Sequence, residues 1–316
     1  MNNCVNQRKA VIIGCGFVGS SSAFALMQSG LFSEIVLIDV DQKRAEGEAM
    51  DISHGVPFVH PMNIYAGDYK DITDAALIVV TAGAAQKPGE TRLDLIKKNI
   101  AIFGSIMPQI KEAKPNGVMV IVANPVDILT LAASRMSGMP RNRVFGSGTV
   151  LDTARLKSMI GTRLDVDSRS VHAYIVGEHG DSEIVVWSSA NVSGVPLDDF
   201  AALRGVDNME EIKEEISADV RNSAYEIIAR KKATYYGIAM SVARIAQAIV
   251  RDENCVLPVS TLLEGDYGID GVALSIPAIV GQNGIVSRVP ISMNEEERDK
   301  LEESSRILKK TMEGIL

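Results

Sequence analysis

One histidine of this chain lies in the setting most typical of acid–base chemistry. His179 stands between Glu178 and Gly180 in the segment Val176–Asp181, VGEHGD, at the end of an apolar run. Glycine neighbours let the backbone approach a ligand closely, and an imidazole titrates near neutral pH. We therefore interpret His179 as a candidate proton donor. A satisfied structural histidine beside an apolar strand is the alternative that this pattern leaves open.

Asp152 and Arg155 form a second candidate pair, three residues apart in the segment Gly146–Arg155. If that segment is helical, the two side chains lie on one face. With His179 they would provide a carboxylate, a clamp for an anion and a proton donor. An ordinary surface ion pair explains the same spacing, and separation along the sequence does not establish that the three residues meet.

A glycine-rich segment predicts a dinucleotide site. Gly14, Gly16 and Gly19 follow the first predicted strand and open a helical pattern, and Asp39 comes twenty residues later at the end of the second strand. Such glycines allow a tight turn and a close approach to a pyrophosphate, while the carboxylate binds ribose hydroxyls and repels a 2′-phosphate. NAD is therefore favoured over NADP. A solvated turn residue is the alternative for Asp39, and Cys15 is interpreted as a small residue tolerated in the loop.

Two further polar segments follow predicted strands. The glycine- and proline-containing segment Thr81–Arg92 carries Gln86 and Arg92, and the next strand runs into Asn124. Loops at the carboxyl ends of parallel strands border the ligand crevice of an open α/β sheet. We expect the segment 81–92 to act as a lid over that crevice.

The elements that must position these residues alternate, in the first half, between short apolar runs and helical patterns. This rhythm is typical of a parallel sheet with crossover helices. The clearest predicted strands are Ala10–Ile13, Ile35–Ile38, Leu77–Val80 and Val118–Val122. We predict an α/β protein: residues 1–147 form a Rossmann-type domain with a doubly wound parallel sheet, and residues 148–316 form an α+β substrate-binding domain.

The second half combines strands with long helices. Ser170–Val176 and Glu183–Trp187 read as strands, and Asn294 with Glu297 predicts the cap of a last helix that buries Leu301, Ile307 and Leu308. From Glu210 onward, apolar residues at four-residue spacing predict an amphipathic helix of about five turns. Its expected buried face consists of Ile212, Ile216, Val220, Ala224 and Ile228.

Composition excludes several classes of function. The 316 residues include 32 basic and 40 acidic ones, a net charge of −8 that disfavours a nucleic-acid partner. Three widely spaced cysteines predict neither a disulfide framework nor a metal cluster, so we expect no metal. No apolar run reaches the roughly 18 to 20 residues of a membrane span, and the amino terminus does not resemble a secretory signal. We expect a cytoplasmic protein with no membrane partner.

Together these segments resemble the L-lactate and malate dehydrogenase family, in the same order and with compatible spacing. The resemblance extends over essentially the whole chain, including Gly281–Gly284, and is strongest to the bacterial L-lactate dehydrogenases. It implies NAD as cofactor and hydride transfer between NADH and pyruvate, giving L-lactate. The cofactor contacts that we predict involve Gly14, Gly16, Phe17, Val18, Gly19, Asp39, Gly83 and Asn124.

The resemblance also implies roles for the candidate catalytic residues. Arg155 would bind the substrate carboxylate with two parallel hydrogen bonds, and His179 would protonate the carbonyl oxygen. Asp152 would hold the other imidazole nitrogen and favour the charged ring. Arg92 would close over the site and polarise the carbonyl, while Asn124 would help to orient the histidine.

Substrate choice is expected to depend on Gln86. In the family, malate enzymes have arginine at this position to pair with the second carboxylate of oxaloacetate, which a neutral glutamine leaves unpaired. Thr234 matches a position on the pocket floor that restricts room around the methyl group of pyruvate. A dehydrogenase for malate or a bulkier 2-hydroxy acid is the alternative within the enzymes. A catalytically silent NAD-binding structural protein is the alternative outside them.

Regulation and assembly rest on the resemblance alone. Bacterial relatives often bind fructose 1,6-bisphosphate between subunits through an arginine and a histidine. Here the histidine position holds His172, but the arginine position holds Lys157, which attracts phosphate without the bidentate geometry. Allosteric activation and unremarkable surface residues remain equal alternatives. The family assembles as tetramers, sometimes dimers, and a homotetramer is our expectation.

Overall fold

The computed structural model describes residues 5–85 and 89–315. Its strands are β1 (Asn6–Ile13), β2 (Glu34–Ile38), β3 (Asn63–Ala66), β4 (Ala75–Val80), β5 (Val118–Ile121), β6 (Val144–Gly146), β7 (Val171–Gly177), β8 (Glu183–Val192), β9 (Val195–Pro196), β10 (Cys255–Glu264), β11 (Asp270–Gly281) and β12 (Gly284–Arg288). Its helices are α1 (Phe17–Ser29), α2 (Gln42–Ser53), α3 (Arg92–Ala113), α4 (Val126–Met136), α5 (Val150–Leu164), α6 (Leu197–Leu203), α7 (Met209–Lys231), α8 (Tyr236–Val250) and α9 (Glu295–Met312).

The first six strands form a parallel sheet in the order β3-β2-β1-β4-β5-β6. All six residues of β4 are buried, because helices cover both faces of such a sheet. The strand order reverses between β1 and β4, so a crevice opens at their carboxyl ends. The predicted α/β fold with a doubly wound parallel sheet is confirmed.

The sheet continues into an antiparallel half. β6 is followed by β10, β11, β7, β8 and β9, with β12 paired to β11. The junction is narrow, since β6 and β10 pair through Gly146 and Ser260. Through β10 and β11, this junction places the end of β7 near the end of β6, at the carboxyl edge of the parallel strands.

The core on one face of the parallel sheet is shared by both halves of the sequence. Leu26 and Phe32 from the first half belong to the same hydrophobic cluster as Val242, Ile245 and Ile249 of α8. Helix α8 therefore completes the layer that α1 begins. The boundary between residues 147 and 148 stays a prediction.

Two details of the predicted helices were wrong. Ile228 on α7 is 43% exposed and Ile307 on α9 is 38% exposed, although the sequence analysis placed both on buried faces. The amino-terminal part of α7 packs as expected, and the cap of α9 by Asn294 and Glu297 is present. On α7 no residue beyond Val220 is buried, so its apolar stripe continues past the layer that covers it. On α9 the neighbouring Leu308 and the later Met312 are buried, so Ile307 lies beside the buried face of that helix.

Among the residues that the structure describes, no helix combines the length and the apolar character needed to cross a bilayer.

Candidate active site

The glycine-rich loop between β1 and α1 is closed by two steric constraints. Gly14 has φ of +102°, and a Cβ there would lie 2.5 Å from the backbone nitrogen of Ala82. A Cβ on Gly19 would lie 1.8 Å from the carbonyl oxygen of Gly14. The loop can therefore pack against α1 and the end of β4 only with glycine at both positions.

The same loop leaves an open surface at the amino terminus of α1. Gly16 is the N-cap residue, with no side-chain cap, and a Cβ there would meet nothing within 4 Å. Phe17 and Val18 begin the helix. Unpaired N–H groups at a helix start attract an anion, so this surface fits the pyrophosphate of NAD.

Asp39 lies beside this loop, directly after β2. Its Oδ2 accepts a hydrogen bond from the Cys15 backbone at 2.6 Å, and its Oδ1 accepts one from the Asp41 backbone at 2.9 Å. The carboxylate is thus held at the crevice, where it can accept hydrogen bonds from ribose hydroxyls. Burial raises the pKa of the Cys15 thiol to about 12, which disfavours the reactive thiolate.

A buried asparagine that the sequence analysis missed joins two loops of the crevice. The Asn99 side chain accepts a hydrogen bond from the Ala84 backbone at 2.7 Å and donates one to the Asn124 carbonyl at 2.7 Å. Gly83 lies against it, 3.5 Å from Asn99 Oδ1 when a Cβ is added. An amide buried in the apolar face of α3 is the signal that could have identified it.

His179, Asp152 and Arg155 converge as a hydrogen-bonded chain. His179 Nδ1 lies 2.6 Å from Asp152 Oδ2, and Arg155 Nη1 donates to Asp152 Oδ1 at 2.8 Å. Asp152 and Arg155 lie one turn apart on α5, and His179 follows β7. With Nδ1 bound to the carboxylate, Nε2 is the imidazole atom that remains to exchange a proton with a ligand.

The electrostatics of this chain favour a charged imidazole. Burial opposes protonation of His179, but the charge and hydrogen bond of Asp152 outweigh it and raise the pKa to about 9. Burial also opposes ionisation of Asp152, yet His179 and Arg155 hold its pKa below the ordinary value. Asp152 and His179 therefore form an ion pair at neutral pH.

Asp127 is a second residue that the sequence analysis did not assign. It is buried on α4, and its Oδ2 accepts a hydrogen bond from the His179 backbone at 2.7 Å. Its other oxygen accepts one from the Ser260 hydroxyl at 2.5 Å. Burial raises the pKa of Asp127 to about 6, against the effect of these hydrogen bonds. Asp127 thus anchors the backbone that carries the imidazole.

Glu183 extends the carboxylate cluster. A carboxylate oxygen of Glu183 lies within 4.8 Å of a carboxylate oxygen of Asp152 and of an imidazole nitrogen of His179. Burial, reinforced by the charge of Asp152, raises the pKa of Glu183 to about 7. The close approach of Asp152 and His179 is accounted for by the proton that they share. The absence of a metal stays a prediction.

The remaining predicted catalytic and substrate-binding residues that the structure describes lie on other elements than the hydrogen-bonded chain of His179. Arg92 begins α3 and pairs with Glu178, next to His179. Asn124 is exposed at the end of β5, and Thr234 is half-buried between α7 and α8. Gln86 lies outside the described residues.

The two predicted effector residues lie on neighbouring elements. Lys157 is half-buried on α5, where burial lowers its pKa, and His172 is exposed on β7. Neither belongs to the hydrogen-bonded chain of His179.

Comparison with known proteins assigns both halves of the chain to one family. Residues 8–146 match the model of the lactate/malate dehydrogenase NAD-binding domain, and residues 149–316 match the model of the lactate/malate dehydrogenase α/β carboxyl-terminal domain. The chain belongs to the lactate/malate dehydrogenase family.

Relatives match along their full length. The chain is 50% identical over 309 residues to L-lactate dehydrogenase 1 of Clostridium acetobutylicum, covering 97% of this chain and 98% of that protein. It is 49% identical over 320 residues to the L-lactate dehydrogenase of Acetivibrio thermocellus, covering 100% and 99%.

Solved structures of family members superimpose closely. The minor L-lactate dehydrogenase of Enterococcus mundtii in its ligand-bound form has a TM-score of 0.94 at 43% identity, with 98% of each chain covered. A lactate dehydrogenase from a Medee basin deep-sea metagenome has a TM-score of 0.94 at 46% identity, with 99% of each chain covered. The fold and the family are thereby established by independent comparisons.

Proposed function

We propose that this protein is an NAD-dependent L-lactate dehydrogenase, which reduces pyruvate to L-lactate reversibly. The observation that carries the proposal is the chain from Arg155 through Asp152 to His179, with contacts of 2.8 and 2.6 Å. It combines an anion clamp with a protonated acid at the mouth of a dinucleotide crevice. The relatives named L-lactate dehydrogenase, at about half identity over the full chain, support the same reaction.

Binding and orientation of the substrate fall to Arg155. One of its N–H groups is bound to Asp152, and the remaining edge of the planar guanidinium can bind a carboxylate with two parallel hydrogen bonds. Its side chain is 14% exposed, so the pairing occurs largely out of water. A 2-oxo acid held by its carboxylate then has its carbonyl directed toward His179.

Proton transfer falls to His179. When bound, NADH supplies the hydride that reduces the carbonyl carbon. The Nε2 proton of His179 passes to the carbonyl oxygen, and Asp152 stabilises the imidazolium before the transfer. In the reverse direction the neutral imidazole accepts the hydroxyl proton of lactate.

The other predicted residues complete the proposed site. Arg92 would polarise the carbonyl and, with the lid, exclude water, while Asn124 would orient the histidine and contact the cofactor ribose. Thr234 would limit room beside the methyl group of pyruvate. Gln86 would exclude oxaloacetate, because an unpaired buried carboxylate costs several kcal/mol, on the order of a thousandfold in rate.

A comparison of pyruvate and oxaloacetate tests this function. The expected result is a kcat/KM for pyruvate on the order of a thousandfold above that for oxaloacetate, measured by NADH oxidation. Gln86→Arg should move the ratio toward oxaloacetate. A preference of the unaltered protein for oxaloacetate would make it a malate dehydrogenase, and no turnover with any 2-oxo acid would favour the silent NAD-binding alternative.

We further propose a cytoplasmic homotetramer that fructose 1,6-bisphosphate activates through Lys157 and His172. Exposed apolar side chains on three helices, Phe24, Met50 and Met240, support self-association. Rates measured against pyruvate concentration, with and without the bisphosphate, test the activation. Superimposable curves would remove Lys157 and His172 from this role.

A further inference from the structure

The cationic end of Arg92 is bound by a carboxylate that the reaction itself does not require. Arg92 Nη2 donates to Glu178 Oε1, and Nη1 lies 3.9 Å from Asp181 Oδ2. Glu178 directly precedes His179 in the chain, so this contact joins the start of α3 to the backbone of the proton donor. The two residues are 86 positions apart in sequence.

Glu178 is held rigidly from the opposite side. Its Oε2 accepts a hydrogen bond from the Ser182 hydroxyl at 2.5 Å, and its backbone N–H donates to Ser304 Oγ at 3.0 Å. The two hydroxyls also lie 3.0 Å apart. Ser304 is fully buried on α9. Ser182 therefore orients the carboxylate, and Ser304 of α9 fixes the backbone that carries it.

The difference in exposure gives the contact its direction. The Glu178 side chain is 3% exposed, whereas that of Arg92 is 47% exposed. Among the described residues, the ion pairs of Glu178 involve Arg92 alone. A buried carboxylate without a cation is costly, so Glu178 retains the guanidinium strongly. The hydrogen bond to Glu178 involves Nη2, whereas Nη1 lies 3.9 Å from Asp181 Oδ2, beyond hydrogen-bond distance, and keeps its N–H groups for a ligand.

We propose that Glu178 is a positioning residue, which holds Arg92 beside His179 so that its free N–H groups face the reacting carbonyl. This inference rests on the proposed role of Arg92 in the reduction of a 2-oxo acid. In this role Glu178 acts through Arg92 and not on the substrate or the cofactor. It acts by restricting a long side chain that would otherwise sample many rotamers.

A double-mutant cycle on kcat/KM for pyruvate tests the proposal. Glu178→Gln keeps the size and the acceptor for Ser182 but removes the charge, and should lower kcat/KM about tenfold to a hundredfold, mainly through kcat. In an Arg92→Ala background the same change should have little further effect, since the group that it positions is gone. Equal fold-losses in both backgrounds would overturn the proposal.

Two further measurements separate positioning from stability. Glu297→Gln neutralises a different buried carboxylate, which lies on α9 and also binds a serine hydroxyl. This change should lower the Tm without lowering kcat/KM. Added guanidinium should partly restore Arg92→Ala, and restoration should require a several-fold higher concentration when Glu178→Gln is also present. Equal concentrations for both would contradict the role of Glu178.

The double-mutant cycle also separates the proposed function of Arg92 from the proposed role of Glu178. Full activity of Arg92→Ala alone would contradict the proposed function of Arg92. A large loss in Arg92→Ala, combined with equal effects of Glu178→Gln in both backgrounds, would leave that function intact and contradict only the inference about Glu178.

Discussion

The charge of the His179 imidazole depends mainly on Asp152, with smaller contributions from Asp127 and Glu183. Burial by itself would keep the ring neutral, and Asp152, 2.6 Å away, reverses that preference. Asp127 meanwhile fixes the backbone of the same residue. Asp152 therefore contributes most to the proton affinity of the donor, and Asp127 fixes its position.

Asp152→Asn should move the pH dependence of pyruvate reduction to lower pH. The reaction needs protonated His179, so its kcat/KM should fall as pH rises through about 9 in the unaltered protein. Without the carboxylate charge, the pKa of His179 should return toward about 6.5 or lower. The measurement is kcat/KM for pyruvate between pH 5 and 10, at roughly half-unit steps.

Asp167→Asn is the matched control. Asp167 also pairs with a cation, since Arg169 lowers its pKa to about 2, but that pair is exposed and precedes β7, whereas His179 follows the other end of that strand. Its removal should leave the pH profile unchanged. An unshifted midpoint in Asp152→Asn would mean that some other group sets the proton affinity of His179.

At the scale of elements, the glycine loop and α1 form one steric unit. The carbonyl of Gly14 occupies the space that a side chain on Gly19 would need. The loop can therefore lie this close to the helix only with glycine at that position. This contact sets how far the start of α1 lies from the carboxyl ends of β1 and β4. That distance decides whether a pyrophosphate fits.

Gly19→Ala should therefore weaken NADH binding. A Cβ 1.8 Å from the Gly14 carbonyl oxygen forces the loop away from α1, and we expect the Kd for NADH to rise about tenfold or more. The Tm should fall as well. Titration of NADH fluorescence measures the first effect and thermal unfolding the second.

Gly47→Ala provides the comparison on a neighbouring helix. Gly47 lies on α2, is exposed, and has nothing within 4 Å of an added Cβ. Alanine there should stabilise the protein by about 0.5 to 1 kcal/mol with no change in NADH binding. Similar affinities for NADH in both variants would argue against a steric role for Gly19.

At the scale of the molecule, the two predicted domains share a core. Helix α8 comes late in the sequence but packs in the same cluster as α1, and Ile245 at its centre is fully buried. The parallel sheet that carries the cofactor crevice therefore depends on a helix from the second half of the sequence for part of its core. Loss of packing in the second half should weaken the first half too.

Ile245→Ala should lower the free energy of unfolding by about 2 to 5 kcal/mol, because it leaves a cavity in this shared cluster. Urea unfolding followed by fluorescence and by NADH binding should remain a single transition in both probes. Leu203→Ala, at a position 76% exposed, should change stability by no more than about 0.5 kcal/mol. Loss of NADH binding at a separate urea concentration would indicate that the halves unfold independently.

The glycine loop and the parallel strands were predictable because their information is local. Gly14, Gly19 and Asp39 are defined by spacing from adjacent strands, and the near-continuous apolar runs follow from burial on both faces. The capping box of α9 was predictable for the same reason. The exposure of Ile228 was not, because helical periodicity describes a face without stating where the covering layer ends, and that of Ile307 was not, because it adjoins the buried Leu308 in sequence but lies beside the buried face.

The sequence by itself determined the class of fold, the dinucleotide loop and, through family resemblance, the identity of the acid and the clamp. The resemblance also implied the contact of Asp152 with His179, which the structure gives at 2.6 Å. Only the tertiary structure decided that Asp127 anchors the His179 backbone and that Glu178 holds Arg92. Local motifs follow from backbone sterics and side-chain periodicity within a few residues. Contacts between distant residues depend on how β6, β7 and α9 align across the sheet, which no short stretch of sequence encodes.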